Sequence, residues 1–249
     1  MKTTQNTILI TGGGSGIGLE MARIFTKKGN TVIITGRNEN KLRDAVIQLG
    51  QDAHYIVADV TNDDHLDALD AAIKKNFPTL NILINNAGQA TLHNIGKSPD
   101  AARIAKQEIE TNYLAPVKLT ARLLELLSKA PEAAIVNISS IVAFAPGLSL
   151  PTYSASKAAL HSYTQTLRLS LSDTTIKVFE VMPPLVDTDF AKDIASDAKI
   201  SPAQVAEDLV TSMATNNYEV HVASTEQLYK NFLGRPDKAT LALNGLPLQ

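Results

Sequence analysis

Cysteine is absent from the 249 residues of the chain. Its absence excludes disulfide bonds, cysteine-ligated zinc or iron–sulfur sites, and thiol nucleophiles. This composition is compatible with a reducing compartment, and we expect a cytoplasmic protein. The five histidines form no close ligand pair such as H-E-x-x-H, so we expect no metal site.

The sequence also lacks an excess of either charge and a long apolar run. It carries 23 basic and 25 acidic residues, for a formal net charge of −2, which gives no sign of a nucleic-acid partner. No apolar run approaches the roughly 18 residues of a membrane span. Residues 1–6 are polar and lead directly into a strand, so we expect neither a secretory signal nor a membrane partner.

What is present is an alternation of short, β-branched apolar runs with longer helical patterns. Strands are predicted at 7–11, 31–35, 54–57, 82–85, 134–139 and 177–182, with a weaker seventh at 220–223. Helices are predicted at 16–28, 39–49, 63–77, 101–129, 153–171 and 201–215. Mostly continuous apolar strands are typical of a sheet covered on both faces. The alternation, without a linker or internal repeat, predicts one α/β domain over 1–249. Its doubly wound, mainly parallel sheet would have six to seven strands flanked by helices.

A glycine-rich turn follows the first predicted strand and opens the first predicted helix. Its pattern is T-G-x-x-x-G-x-G, through Thr11, Gly12, Gly16 and Gly18. Such a turn brings bare backbone N–H groups to a phosphate, and the helix N-terminus adds favourable dipole charge. The spacing differs from G-x-G-x-x-G, and no Lys-Ser/Thr pair follows as in a Walker loop. A turn without a ligand is the alternative, but the strand–helix context favours dinucleotide binding.

Further motifs make the chain resemble the short-chain dehydrogenase/reductase family. They are Asn85-Asn86-Ala87-Gly88 after the fourth strand, Asn112, Ser140 thirteen residues before Tyr153, and the Y-x-x-x-K pair of Tyr153 and Lys157. The resemblance covers roughly residues 7–189, and the segment from Pro183 to Thr188 resembles the bacterial DltE-like subgroup. It implies a Rossmann fold and a nicotinamide cofactor.

The residue after the second strand bears on which nicotinamide is bound. An acidic residue usually lies there and takes the adenosine ribose hydroxyls. Here the strand runs into Gly36, Arg37 and Asn38, and Arg37 could pair with a 2′-phosphate. A solvated loop arginine is the alternative, and the family's other basic position is occupied by Ser15. We predict NADP(H), with NAD(H) possible.

The resemblance assigns a larger set of residues to the cofactor. Pro184 stands where most relatives have glycine and removes a backbone donor from that loop. The implied cofactor-binding residues are Gly12, Ser15, Gly16, Ile17, Gly18, Arg37, Asn38, Asp59, Val60, Asn86, Ala87, Gly88, Tyr153, Lys157, Pro183, Val186 and Thr188.

Tyr153 and Lys157 lie one helical turn apart on one face, and Tyr153 is the candidate proton carrier. A tyrosine with a pKa of about 10 is a poor base, and we expect the lysine ammonium and an oxidised nicotinamide to favour tyrosinate. Ser140 would steady the substrate oxygen. The resemblance implies that Lys157 holds the nicotinamide ribose and that Asn112 joins a water relay. A lone Y-x-x-x-K is usually structural, but here the other motifs are in register with it.

These observations predict an NADP(H)-dependent oxidoreductase acting on a small-molecule carbonyl or secondary alcohol. The alternatives are a non-catalytic NADP(H)-binding regulator, and an acyl hydrolase with Ser140 as nucleophile. The second lacks a G-x-S-x-G elbow and an obvious histidine base. Helices 101–129 and 153–171 carry more apolar positions than one sheet face needs, which favours a homodimer or homotetramer. We expect a substrate loop at about 189–199. The C-terminal extension, about 225–249, would pack on a partner subunit or on its own domain.

Overall fold

In a computed structural model of the chain, one sheet of seven parallel strands has the order β3-β2-β1-β4-β5-β6-β7. The structure describes residues 1–192, 194 and 196–247. The predicted doubly wound parallel sheet is confirmed. The strands are β1 (Thr7–Thr11), β2 (Thr31–Gly36), β3 (Ala53–Val57), β4 (Ile82–Asn85), β5 (Ala133–Ile138), β6 (Ile176–Met182) and β7 (Glu219–His221).

Helices cover both faces of the sheet because each strand turns apolar side chains to either side. On β1, Ile8 and Ile10 pack into the core layer on one face of the sheet, whereas Leu9 packs into the layer on the other face. The helices are α1 (Gly16–Lys27), α2 (Glu39–Leu49), α3 (Asp63–Asn76), α4 (Ala101–Ile109), α5 (Ala115–Ser128), α6 (Pro151–Ser170), α7 (Pro202–Thr215), α8 (Ser224–Gly234) and α9 (Pro236–Leu243).

The strand order reverses between β1 and β4, which are neighbours in the sheet. In an open parallel sheet a crevice forms at such a reversal, outside the carboxyl ends of the strands. The loops that follow β1, β4, β5 and β6 therefore meet at one edge. No helix among the described residues combines the length and hydropathy needed to cross a membrane.

The predicted helix at 101–129 is wrong as a single regular α-helix. The structure has α4 and α5 with a π-helical turn, Glu110–Leu114, between them. A π turn inserts a wider loop of backbone into a helix, often at a functional position. Here it contains Asn112, which is fully buried.

The C-terminal region folds on its own domain, as far as residue 247. Its helices α8 and α9 were not predicted, and residues 248 and 249 of the predicted extension lie outside the described residues. Phe144 packs against Tyr229 and Phe232 of α8, with ring centroids 5.2 and 5.5 Å apart. Strand β7 ends two residues earlier than predicted, and Ala223, with φ of 49°, turns the chain into α8.

Candidate active site

The glycine turn after β1 has a shape that side chains would disturb. Gly12 and Gly16 have φ of 66° and 54°, a region that favours glycine. A Cβ on Gly12 would lie 3.0 Å from the Ala87 Cα, and one on Gly16 would lie 3.0 Å from the Thr188 Cγ2. Helix α1 begins inside this turn, at Gly16, and its first turn carries no acidic side chain. The turn therefore fits an anion such as a cofactor pyrophosphate.

Asn86 braces the turn from the loop after β4. Its Nδ2 donates to the Thr11 carbonyl at 2.9 Å, and the Thr11 hydroxyl accepts the N–H groups of Asn86 and Ala87, each at 2.9 Å. A Cβ on Gly18 would lie 2.5 Å from the Asn86 Nδ2. The absence of a side chain at Gly18 thus lets α1 approach the Asn86 side chain closely, on the side of the turn that faces away from a ligand.

Arg37 and Asp59 lie at the far end of the crevice, after β2 and β3. Burial raises the pKa of Asp59, but hydrogen bonds from Thr61 and the nearby Arg37 guanidinium outweigh it and hold that pKa below its usual value. The Asn38 side chain caps α2 by accepting the Lys41 N–H at 3.0 Å.

Tyr153 and Lys157 on α6 meet Ser140, which follows β5, at the centre of the crevice. All three are buried. The Lys157 Nζ lies 5.6 Å from the centroid of the Tyr153 ring and donates to the Ile138 carbonyl at 2.8 Å. The Ser140 hydroxyl accepts the Val142 N–H at 3.3 Å, which orients it at the start of the following turn.

Burial dominates the protonation of this group. It raises the pKa of Tyr153 above its ordinary value, and the Ser140 hydroxyl opposes the shift only in part. Burial also lowers the pKa of Lys157 to about 8, although the Glu180 carboxylate opposes that change. Without a nicotinamide, desolvation thus favours the protonated phenol, and the stabilisation of tyrosinate by the lysine and an oxidised nicotinamide stays a prediction.

Asn112 lies behind the crevice and is held by two neighbours. Its Nδ2 donates to the Gln89 carbonyl at 2.8 Å and to the Ser156 hydroxyl at 2.9 Å, while its Oδ1 accepts the Gln89 N–H at 2.8 Å. A Cβ on Gly88 would lie 3.5 Å from the Asn112 Oδ1 and 3.9 Å from the Lys157 Nζ. Both side chains thus border the small space beside Gly88.

The loop after β6 closes one side of the crevice. The Pro183 carbonyl accepts the Ile141 N–H at 3.0 Å, which fixes the loop against the turn after Ser140. Asp189 reaches Lys41 across the glycine turn, with Nζ and Oδ2 3.4 Å apart. Within the predicted substrate loop at 189–199, residues 193 and 195 lie outside the described residues.

One cleft of about 990 Å³ brings most of the predicted site together. Leu243 and Asn244, at the end of α9, also line it, and nothing in the sequence near the motifs pointed to them. His161 faces away and lies 2.9 Å from the Glu180 carboxylate. The predicted residues that line the cleft are Gly12, Ser15, Gly16, Ile17, Arg37, Asp59, Val60, Asn86, Ala87, Gly88, Ser140, Tyr153, Lys157, Pro183, Val186 and Thr188.

Comparison with known proteins gives both a family and a fold. The family model described as short chain dehydrogenase matches residues 6–199. The uncharacterized oxidoreductase DltE of Bacillus subtilis (strain 168) is 46% identical over 188 residues, which are 76% of this chain and 74% of that protein.

Two solved structures share the fold. A short chain dehydrogenase from Burkholderia cenocepacia J2315 in complex with NADP has a TM-score of 0.86 at 22% identity, over 99% of this chain and 100% of that one. A short chain dehydrogenase/reductase from Burkholderia phymatum in complex with NAD has a TM-score of 0.87 at 21% identity, over 100% of this chain and 99% of that one.

Proposed function

Because the chain belongs to the short-chain dehydrogenase family, a family of oxidoreductases, we propose that it is an NADP(H)-dependent carbonyl reductase or alcohol dehydrogenase. The observation that carries the proposal is the meeting of Ser140, Tyr153 and Lys157 in the cleft that begins at the glycine turn. The bound NADP and NAD of the two structural neighbours support a nicotinamide cofactor, and NAD(H) stays the second candidate.

Each part of the cleft has a separate task in binding. The N–H groups at the start of α1 face the place of a pyrophosphate, and Arg37 would pair with a 2′-phosphate. Lys157 would hold the nicotinamide ribose through its buried ammonium. When bound, the reduced nicotinamide would supply the hydride for the substrate carbon.

The protein's own residues transfer one proton to the substrate oxygen and stabilise the negative charge that develops on it. As the carbonyl oxygen gains charge, the Tyr153 hydroxyl gives it a proton, and the Ser140 hydroxyl donates a second hydrogen bond. The raised pKa of Tyr153 supports this role, because it keeps the proton on the phenol at neutral pH. In alcohol oxidation the same phenolic oxygen accepts the proton. Asn112 would extend the proton path beyond Lys157.

The Tyr153→Phe variant tests the mechanism, because it removes the proton donor and keeps the ring. We expect turnover of a carbonyl substrate to fall by about 10²–10⁴-fold, the usual contribution of a general acid. NADPH affinity, measured by fluorescence titration, should change little. Lys157→Ala is the comparison variant and should lower both quantities. Near-parental turnover by Tyr153→Phe would show that the mechanism is wrong even if the cofactor is bound.

We also propose assembly into a homodimer or homotetramer through the helices α4, α5 and α6. On α6, Leu169 is 76% exposed in the single chain. On α5, Leu124 is only partly buried against the domain's own core. An apolar surface of this kind is suited to a two-fold contact in which the same helices of both copies pair.

A further inference from the structure

The cleft around Tyr153 has apolar walls. Tyr153 clusters with the buried Ile141 and Val142, and the partly buried Ala90, Leu150 and Leu243 pack against them. The ring of Phe190 lies over the same place, with its centroid 6.0 Å from that of Tyr153. We call the space bounded by these residues the substrate end of the cleft.

Positive charge is scarce along this cleft. Among the described residues that line it, the cationic side chains are Arg37 and Lys157. Arg37 lies near Asp59 at the opposite end, and the Lys157 Nζ is committed to the Ile138 carbonyl at 2.8 Å. An anionic group at the substrate end would therefore meet no free cation among the described lining residues.

A buried acidic side chain lies directly behind the substrate end. Glu108 of α4 is fully buried; its Oε1 accepts the Thr91 N–H at 2.8 Å, and its Oε2 accepts the Thr152 hydroxyl. Thr91 lines the cleft, and Thr152 precedes Tyr153. Both oxygens thus accept hydrogen bonds, and the carboxylate lies close enough to Tyr153 to raise the pKa of that phenol. Asp189 also lines the cleft, but its carboxylate is exposed and pairs with Lys41 across the glycine turn.

We propose that the substrate is an uncharged carbonyl compound with an apolar body, and that Glu108 is a specificity-determining residue that disfavours anionic substrates. This inference rests on the proposed reductase function. An apolar pocket offers a carboxylate neither solvation nor a counter-ion, and burying an unpaired charge is costly. The nearby carboxylate of Glu108 adds repulsion.

The test compares two aldehydes that differ in one charge, 8-oxooctanoate and its methyl ester. Six methylenes separate the aldehyde from the carboxyl group, so the two carbonyls have the same intrinsic reactivity. With NADPH and the parental protein, we expect kcat/KM for the ester to exceed that for the acid by about tenfold or more, as an unpaired charge entering an apolar site requires.

The Glu108→Gln variant tests the residue itself. Glutamine keeps the side-chain shape and can still accept the Thr91 N–H, but it carries no charge. We expect the ester-to-acid ratio to fall by about threefold or more, because charges act over several ångströms inside a protein. The matched control is Asp100→Asn, which removes a charge from the exposed start of the same helix and should leave the ratio unchanged.

The outcomes separate the two proposals. Equal or better use of the acid by the parental protein would overturn the inference and leave the reductase function intact. Reduction of other carbonyls but of neither aldehyde would overturn it as well. An unchanged ratio in folded Glu108→Gln would remove Glu108 from the explanation. If no carbonyl in a broad panel oxidises NADPH, the proposed function itself is refuted. The comparison of the two aldehydes with the parental protein tests the preference for an uncharged substrate even if the Glu108→Gln variant does not fold.

Discussion

Replacing Arg37 with alanine should remove the preference for NADPH over NADH. Arg37 is the first residue after β2, is exposed, and lines the cleft. The neighbouring Gly36 and Asn38 supply no carboxylate to repel a 2′-phosphate. Asn38 is occupied with capping α2. Under the proposed NADP(H) preference, discrimination between the two cofactors at this position would depend on the guanidinium of Arg37.

The size of the effect follows from the surroundings of Arg37. A hydrogen bond to a charged group contributes about 1.5–3 kcal/mol, and exposure to solvent favours the lower half of that range. Since about 1.4 kcal/mol corresponds to a tenfold change, the Kd for NADPH should rise by about 10–40-fold. The Kd for NADH should change by less than about twofold, because the interaction with the 2′-phosphate is absent.

Titration of the parental protein and the variant with NADPH and with NADH measures the two Kd values. The ionic strength must be fixed, because salt screens an exposed charge pair. Arg37→Lys is the matched control: it keeps the charge but loses the two-pronged donor, so its NADPH affinity should be intermediate. A ratio of NADPH to NADH affinity that is unchanged in Arg37→Ala would refute the reasoning.

Three further results are expected. Gly18→Ala places a Cβ 2.5 Å from the Asn86 Nδ2, so overpacking should lower the free energy of unfolding by about 1–3 kcal/mol and weaken cofactor binding. Thermal melting measures the loss of stability. Gly234→Ala is the control, because a Cβ there meets nothing within 4 Å. The hydrogen bond to Glu180 raises the pKa of His161 in the folded chain. Protonated His161 therefore stabilises the fold fully below the unfolded-state pKa of about 6.5, and this contribution is lost as the pH rises through the raised folded-state pKa. Urea unfolding from pH 6 to 9 should show this loss, and Glu180→Gln should reduce it. Light scattering at micromolar concentration should show a dimer or tetramer, and a monomer would refute the assembly proposal.

The sequence predicts the parts of this site that depend on short-range geometry. The glycine turn follows from a strand and a helix joined by residues that tolerate positive φ, and the structure gives Gly12 and Gly16 such values. Tyr153 and Lys157 share a helix face because they are four residues apart. Apolar runs of strand length also predicted the sheet, because a strand that is covered on both faces needs apolar side chains at nearly every position.

The parts that the sequence did not predict depend on long-range packing. The π turn at Glu110–Leu114 has the composition of an ordinary helix, and it forms where Asn112 is tied to Gln89 and Ser156. Asn244 enters the site from 56 residues beyond Thr188, the last of the predicted site residues. Its Nδ2 donates to the Pro146 carbonyl at 2.9 Å, and the Leu148 N–H donates to its Oδ1, which fastens α9 to the loop before α6.

The protonation of Tyr153 depends on burial, which the motif alone does not show. From the motif, a lysine ammonium one turn away should favour the phenolate. In the folded chain the same burial acts on both groups, raising the pKa of Tyr153 and lowering that of Lys157 to about 8. Both shifts favour the neutral forms, but to different extents: Tyr153 rests as the phenol, whereas Lys157, with a pKa of about 8, stays mostly an ammonium at neutral pH. A site in this state already holds the proton that carbonyl reduction consumes, whereas alcohol oxidation must first remove it. Reduction should therefore stay active at neutral pH, and oxidation should gain rate as the pH rises.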